Sequence, residues 1–159
     1  MDIQTQHFLI ESILEDWKDR IGEDYAGYRG HVYRMFNYCL ALHPASEQEQ
    51  TKLAIAACFH DIGLWSARTV DYLTPSIEQA ERYLAETGRG DWSKEIALMI
   101  EWHHKVRPYR DRQFPLVEVF RKGDLVDFSL GFFKCGLPGS QVREVKAAIP
   151  SAGFHRFLL

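Results

Sequence analysis

Residues 53–63 read LAIAACFHDIG, in which an apolar run leads directly into two polar residues, His60 and Asp61. Ser46 and Glu49 precede the run at the spacing of a helix capping box. Together these features predict a buried helix that ends at the His–Asp pair. Because burying an imidazole and a carboxylate costs free energy unless something binds them, we expect both side chains to serve a functional site.

Apolar residues recur at three- and four-residue spacing on both sides of this stretch, which predicts further helices. We expect them over Gln6–Arg20, His31–Leu42, Ile77–Thr87, Trp92–His104, Pro115–Leu130 and Gln141–Ile149. Only Pro115–Leu130, which is rich in Val and Phe, could instead be a strand. The predicted fold is therefore all-α, a single-domain bundle of about six to seven helices.

Turn and capping residues predict where several of these helices begin. The segment 22–30, GEDYAGYRG, is rich in turn residues and predicts a connection, so that His31 begins the second helix. Thr74 with the following proline predicts the start of the fourth helix, and Asp91 predicts the cap of the fifth.

The length and composition bound the class of protein. A chain of 159 residues with 46% hydrophobic and 26% charged residues fits one folded domain, residues 1–159, with 28–130 as its core. The 19 basic and 22 acidic side chains are mixed and give a net charge of -3. This balance argues against a nucleic-acid polymer as a partner.

The three cysteines are far apart and form no CxxC pair, which favours reduced thiols. The N-terminal residues show no basic region followed by an apolar segment, and no stretch approaches the ~20 apolar residues that span a bilayer. We therefore expect a cytoplasmic protein that does not bind membranes. The sequence leaves a homo-oligomer open.

Two further ligand-type residues lie within predicted buried helices, namely His31 and Asp124. With His60 and Asp61 they come from three helices, which a bundle could bring together. Two imidazoles and two carboxylates suit a divalent transition metal: Mn, Fe, Co, Ni or Zn. Such a cation lowers the pKa of a bound water and polarises a phosphoryl or carbonyl oxygen.

The order His31, then His60-Asp61 in FHDIG, then Asp124 in KGDLVD resembles the H…HD…D signature of the HD superfamily of metal-dependent phosphohydrolases. The resemblance covers roughly residues 28–130 and includes the Ile-Gly of the HDIG subset. It implies an all-helical HD-domain-like fold with these four residues as metal ligands. It also implies hydrolysis of a small phosphate ester, a nucleotide being one candidate.

Some HD families, among them the HD-GYP hydrolases and certain di-iron oxygenases, add histidines that hold further metals. This chain has His103-His104 in EWHHK, but no histidine between His60 and His103. We therefore expect one ion per chain and leave a second open. The chain also lacks the GYP element, and Leu64 and Trp65 stand where the nucleotidase branch carries a Glu. The substrates of the HD-GYP hydrolases and of the nucleotidases are therefore not assigned to it.

The remaining candidates are polar residues near the predicted ligands. Consecutive helical residues point about 100° apart, so we expect one of His103 and His104 to face the pocket, as a general acid or a phosphate contact. Asp71 is a candidate to orient the attacking water. Three cations are candidate phosphate anchors in substrate binding: Arg34, Lys105 and Arg107.

Other interpretations stay open at this point. Lys105 and Arg107 also fit an ordinary solvated helix end, and Asp127 fits either a carboxylate behind the ligands or a surface acid. An HD-like fold could instead carry a hydratase or a di-iron oxygenase that acts on a small non-phosphate molecule. It could also be a metal-binding regulatory module without turnover.

Overall fold

The computed structural model describes residues 1–152, which contain eight α-helices, two 3₁₀ turns and no β-strand. The helices are α1 (Phe8–Ile21), α2 (Tyr25–Leu42), α3 (Glu47–Phe59), α4 (Gly63–Ser66), α5 (Leu73–Glu86), α6 (Ser93–Trp102), α7 (Pro115–Phe128) and α8 (Gly139–Ala148). The predicted all-α fold is confirmed. Leaving out α4, which is a single short turn, the described residues form seven helices, as predicted. Within residues 1–152 no helix combines the length and apolarity needed to cross a bilayer. Residues 153–159 of the predicted domain lie outside the described part.

The second helix begins earlier than its glycines predict. A 3₁₀ turn over Gly22–Asp24 makes the whole connection, and α2 starts at Tyr25 rather than at His31. Gly30 lies inside α2. A glycine is needed at this position because a Cβ would come within 2.9 Å of Nη1 of Arg34. The glycine thus makes room for a buried side chain instead of breaking the helix. His31 lies nearly two turns inside α2 as a result.

One predicted helix cap is confirmed and two are wrong. The backbone N–H of Glu49 donates to Oγ of Ser46 at 3.2 Å, and the backbone N–H of Ser46 donates to Oε1 of Glu49 at 3.0 Å, which closes the capping box. Thr74 lies within the first turn of α5 instead of ahead of it. Asp91 lies in the 3₁₀ turn Gly90–Trp92, and α6 starts after that turn without a side-chain cap.

Helix α2 is the centre of the bundle. It packs against α7 along its length and also contacts α3, α8 and α1, while α6 packs against α5, α7 and α3. One apolar cluster fills the space between α1, α2, α3, α6 and α7, and a smaller one between α2, α7 and α8 contains Tyr38, Val126 and Val142. Polar side chains on the facing sides of α2 and α7 are therefore enclosed between two apolar clusters.

Gly123 allows α2 and α7 to approach closely. A Cβ at this position would collide with Sγ of Cys39 and lie 3.0 Å from the carbonyl oxygen of Met35, both on α2. Since any larger residue would separate the helices, the glycine sets the distance across which side chains of α7 reach α2. Asp124 is the next residue of α7, and Asp127 lies one turn further along the helix.

Gly63, the glycine of the FHDIG motif, is expected to be required for stability. Its backbone N–H donates to Oγ of Ser76 at 2.8 Å, and an added Cβ would collide with the carbonyl oxygen of Tyr72 and lie 2.9 Å from Oγ of Ser76. We expect Gly63→Ala to lower the free energy of unfolding by about 1–3 kcal/mol, because backbone must move to admit the methyl group. Urea denaturation measures this change.

Gly90→Ala is the matched control, since a Cβ at Gly90 would have no heavy atom within 4 Å. Equal unfolding free energies for Gly63→Ala and Gly90→Ala would contradict a packing role for Gly63.

Candidate metal centre

Five ionisable side chains from four parts of the bundle meet between α2, α3, α6 and α7. His31 comes from α2, His60 is the residue at which α3 ends, and Asp61 follows it in the next turn. His103 directly follows the last residue of α6, and Asp124 lies on α7. All five are buried. The structure thus brings together the four predicted metal ligands and adds His103 to them.

The ring nitrogens and carboxylate oxygens lie within a few ångströms of one another. Nε2 of His31 is 3.0 Å from Nε2 of His60 and 3.2 Å from Oδ1 of Asp124. Nε2 of His60 is 3.0 Å from Oδ2 of Asp61 and 3.4 Å from Oδ1 of Asp124. Two triplets, His31–His60–Asp124 and His60–Asp61–His103, each keep their ligand atoms within 4.8 Å of one another. They share His60, so the five residues form one continuous cluster.

The Nδ1 atom of each histidine, which points away from the cluster, has an acceptor nearby, and this contact fixes the tautomer. Nδ1 of His60 donates to the carbonyl oxygen of Ala57 at 2.6 Å, and Nδ1 of His103 donates to that of Ile100 at 2.5 Å. A carbonyl can only accept, so these two rings carry their proton on Nδ1 and, when neutral, turn the lone pair of Nε2 towards the cluster.

His31 is held in the same way by a carboxylate, because its Nδ1 lies 2.6 Å from Oδ2 of Asp127. The three Nε2 atoms and the oxygens of Asp61 and Asp124 are then acceptors that face acceptors. Such an arrangement is stable only around a proton or a metal cation.

One atom of the cluster lacks any hydrogen bond. Oδ1 of Asp61 is buried without a hydrogen-bond donor, although Nε2 of His103 lies 3.3 Å away. That nitrogen carries no proton in the tautomer that donates to Ile100, and it accepts from the hydroxyl of Tyr72 at 3.3 Å. A buried carboxylate oxygen without a donor is costly unless a cation is its partner. The five residues could therefore hold a metal ion. Their acceptor atoms can all bind a cation, whereas they cannot hydrogen-bond to one another without added protons.

The charges within the cluster show what occupies it when no metal is bound. Burial by itself lowers the pKa of His31, but the carboxylates of Asp124 and Asp127 outweigh burial and raise the pKa to about 8. Burial also opposes the charged form of His60, yet Asp61 and Asp124 raise its pKa to about 10. Protons thus take the place of a cation at neutral pH, and a metal must displace them.

Metal binding is accordingly expected to tighten as the pH rises. Below pH 8 both His31 and His60 hold a proton in the metal-free protein, so binding releases about two protons. Below pH 8 the apparent dissociation constant then weakens by about 100-fold for each pH unit lowered, and between pH 8 and 10 by about tenfold for each pH unit. Calorimetric titration with Zn²⁺ in buffers of different ionisation enthalpy counts the protons, and a release of none at pH 7 would contradict this assignment.

The thermal stability of the metal-free protein gives the complementary result. A histidine whose pKa is raised above its ordinary 6.5 stabilises the fold fully below pH 6.5, and this contribution is lost as the pH rises through the folded values of about 8 and about 10. The gap in melting temperature between metal-loaded and metal-free protein is therefore expected to widen from pH 6.5 to 10.

Asp127 is part of the site although its spacing left it ambiguous. It is only 2% exposed, and it contacts both Nδ1 of His31 and the guanidinium of Arg34. Since a carboxylate behind a metal-binding histidine fixes the ring and raises its basicity, Asp127 acts on the cluster through His31. Its position three residues after Asp124, on the same face of α7, was the only signal in the sequence.

Arg34 lies beside the cluster but is not available to a substrate. Its Nε donates to Oδ1 of Asp127 at 2.7 Å, and its Nη1 donates to the carbonyl oxygens of Ile149 and Pro150, both at 3.3 Å. The side chain is 2% exposed and does not line the cavity described below. The prediction of Arg34 as a phosphate anchor is corrected, because all three nitrogens of its guanidinium are used within the protein.

A cavity of about 600 Å³ opens onto the cluster. Its inner end is formed by the buried residues Asp61, His103 and Asp124. The remaining wall comes from the loop after α4, the end of α6 and the end of α7, and it is lined by Leu64, Val70, Tyr72, His104, Lys105, Val106, Leu125 and Phe128. The volume falls in the range of small-molecule sites.

The two neighbouring histidines have different surroundings because α6 ends at Trp102. His103 is buried in the cluster, whereas His104 is exposed and lines the cavity. Burial and the neighbouring His103 lower the pKa of His104. The expectation that one of the pair faces the ligands therefore applies to His103, with His104 on the wall.

The other predicted residues are divided between the wall and the surface. Lys105 lines the cavity, and its Nζ lies 4.4 Å from the centre of the Trp102 ring. Arg107 is exposed and packs over the same ring at 5.0 Å without lining the cavity. Asp71 is exposed on the loop before α5 and does not line the cavity either. Its two neighbours in the chain, Val70 and Tyr72, do line the cavity.

Arg121, which carried no signal in the sequence, fixes the wall near Lys105. It donates through Nη1 to the carbonyl oxygens of Lys105 and Val106 at 3.2 and 3.4 Å. Its Nε donates to Oε1 of Glu118 at 2.7 Å. The loop after α6 is thereby tied to α7, the helix that carries Asp124.

Known proteins provide no independent assignment of this centre. Comparisons with protein-family models, with curated protein sequences and with solved structures find no match to this chain.

Proposed function

We propose that this chain is a metal-dependent phosphohydrolase of the HD type, which cleaves a small phosphate ester at the inner end of the cavity. The observation that carries the proposal is the buried cluster of five acceptor groups, from His31, His60, Asp61, His103 and Asp124, which opens to a cavity of about 600 Å³. The resemblance of the H…HD…D order to the HD superfamily supports the same assignment.

His31, His60, Asp61 and Asp124 would hold the cation, with His103 available as a further ligand. The nitrogen and oxygen donor set suits Mn, Fe, Co, Ni or Zn. A divalent ion held there supplies Lewis acidity, both to water and to a phosphoryl oxygen. Asp127 would keep Nε2 of His31 free for the ion by accepting the proton of its Nδ1.

Two side chains on the cavity wall would act on the substrate itself. The ammonium group of Lys105 would bind an oxygen of the phosphate and stabilise its negative charge. His104, whose lowered pKa keeps it neutral near pH 7, can accept a proton or donate one to an oxygen. The apolar residues of the wall would exclude water around these groups and strengthen both interactions.

The experiment is a turnover screen with protein reconstituted with each candidate metal, using p-nitrophenyl phosphate and a panel of phosphate monoesters. We expect hydrolysis that depends on the metal and falls about tenfold or more in Lys105→Ala, whereas Lys134→Ala keeps wild-type activity. Lys134 is the matched control because it is exposed and does not line the cavity.

Three results would replace the proposal. Two irons per chain with oxygen-dependent turnover would indicate a di-iron oxygenase, an outcome to which the two triplets sharing His60 give some weight. Hydration of a small non-phosphate molecule would indicate a hydratase. Ligand-dependent stabilisation of a metal-loaded protein without any turnover would indicate a regulatory module.

A further inference from the structure

The cavity wall carries few charges for a site that is to bind a phosphate. Apart from the cluster at its inner end, the ionisable side chains that line it are Lys105, His104 and the phenol of Tyr72. Of the three cations predicted as anchors, Arg34 is held by Asp127, and Arg107 packs over Trp102 outside the cavity. Among the described residues, one lysine is thus the only permanent cation on the wall.

A polyphosphate is poorly matched to this wall. Each additional phosphate adds negative charge and acceptor oxygens, which proteins usually bind with several Lys and Arg side chains or with a row of backbone N–H groups. The carboxylates of Asp61 and Asp124 already balance a divalent cation, so Lys105 leaves one net positive charge at the site, which one phosphate group is enough to use up. The charge count therefore favours a substrate with one phosphate.

The rest of the wall is apolar, which points to the body of the substrate. Leu64, Val70, Tyr72, Val106, Leu125 and Phe128 line it. Val70 and Val106 are 89% and 87% exposed, and Phe128 is 41% exposed. Single exposed apolar residues are ordinary, but these three come from separate segments and border the same cavity. An apolar group seated between them would remove all three from water.

We propose that the substrate is the phosphate monoester of an apolar alcohol, with an alkyl or aryl body lying along this wall and its phosphate at the metal centre. The inference rests on the proposed function and specifies its substrate class. Water is the co-reactant: its oxygen bonds to phosphorus, the bond from phosphorus to the ester oxygen breaks, and the apolar alcohol leaves with a proton. The apolar body gives binding energy, and Lys105 gives the single charge contact.

Calorimetric titration of Zn²⁺-loaded protein tests this with non-hydrolysable probes: methyl-, butyl- and octylphosphonate, and, as a polar probe, the adenosine phosphonate in which a P–C bond replaces the ester bond of adenosine 5′-monophosphate. We expect the dissociation constant to fall about fourfold for each methylene group until the wall is covered. The adenosine phosphonate should bind at least about tenfold more weakly than octylphosphonate.

Two variants locate the effect on the wall. Val106→Asn and Val70→Asn alter exposed side chains, so the fold should be kept, and each should reduce the dependence on chain length, with a larger loss of affinity for octylphosphonate than for methylphosphonate. Phe8→Asn is the control, since Phe8 is 81% exposed on α1 and does not line the cavity.

The possible failures can be told apart. An affinity that does not change with chain length, or tighter binding of the adenosine phosphonate than of octylphosphonate, overturns the apolar body and leaves the phosphohydrolase function standing. Binding of 1-octanol without binding of any phosphonate overturns the proposal through the failure of the phosphohydrolase function itself.

Discussion

Replacing Asp61 by alanine is expected to abolish metal binding, from about one transition-metal ion per chain to none. Asp61 contributes a carboxylate oxygen 3.0 Å from Nε2 of His60, and its second oxygen has no hydrogen-bond donor in the protein. Loss of a ligand should weaken the affinity by at least about 1,000-fold, beyond the 10–100-fold that outer partners cost. Elemental mass spectrometry of protein purified without chelator or nickel affinity measures the bound metal.

Asp91→Ala is the control, since Asp91 is exposed in the 3₁₀ turn before α6. If Asp61→Ala does not fold, Asp61→Asn keeps the volume of the side chain and gives the same comparison. A melting temperature that rises with Zn²⁺ in wild type and in Asp91→Ala, but not in the Asp61 variants, would agree with the elemental result. A full metal complement in Asp61→Ala would overturn the centre.

The sequence predicts the cluster because its members break the apolar pattern of their own helices. His60 and Asp61 follow an unbroken apolar run, and Asp124 stands within one, so local pattern alone marks them as buried polar groups. The helical periodicity also predicts the course of α1, α3, α7 and α8. These properties depend on residues close in the chain, which is why they can be inferred without a structure.

What the sequence leaves undecided depends on contacts between distant residues. Asp127 is buried because Gly123 lets α7 approach α2, and the spacing of Asp127 from Asp124 does not reveal that approach. The sequence predicts that Arg34 binds a phosphate, but Asp127 and two carbonyl groups more than 100 residues away accept all of its hydrogen bonds. Gly30 belongs to a segment whose turn-rich composition predicts a connection, but it lies within α2, where a Cβ would meet the buried side chain of Arg34.

Breaking the buried ion pair between Arg34 and Asp127 is expected to be strongly destabilising. Both side chains are 2% exposed, and Asp127 also accepts the proton of Nδ1 of His31. In Asp127→Ala the guanidinium stays buried without its carboxylate, which should lower the free energy of unfolding by about 3–5 kcal/mol. Breaking the half-exposed pair of Arg29 and Glu11 with Arg29→Met should cost only about 0–1 kcal/mol. Urea denaturation of metal-free protein measures both.

The double variant Arg34→Met/Asp127→Leu separates the two roles of Asp127. Replacing the whole pair by apolar residues removes the unpaired charge, so most of the stability should return. The affinity for Zn²⁺ should nevertheless remain about 10–100-fold below wild type, because Nδ1 of His31 has lost the acceptor that fixes its ring. Restored stability with wild-type metal affinity would mean that Asp127 serves only to neutralise Arg34, and that His31 is oriented by the packing of α2 alone.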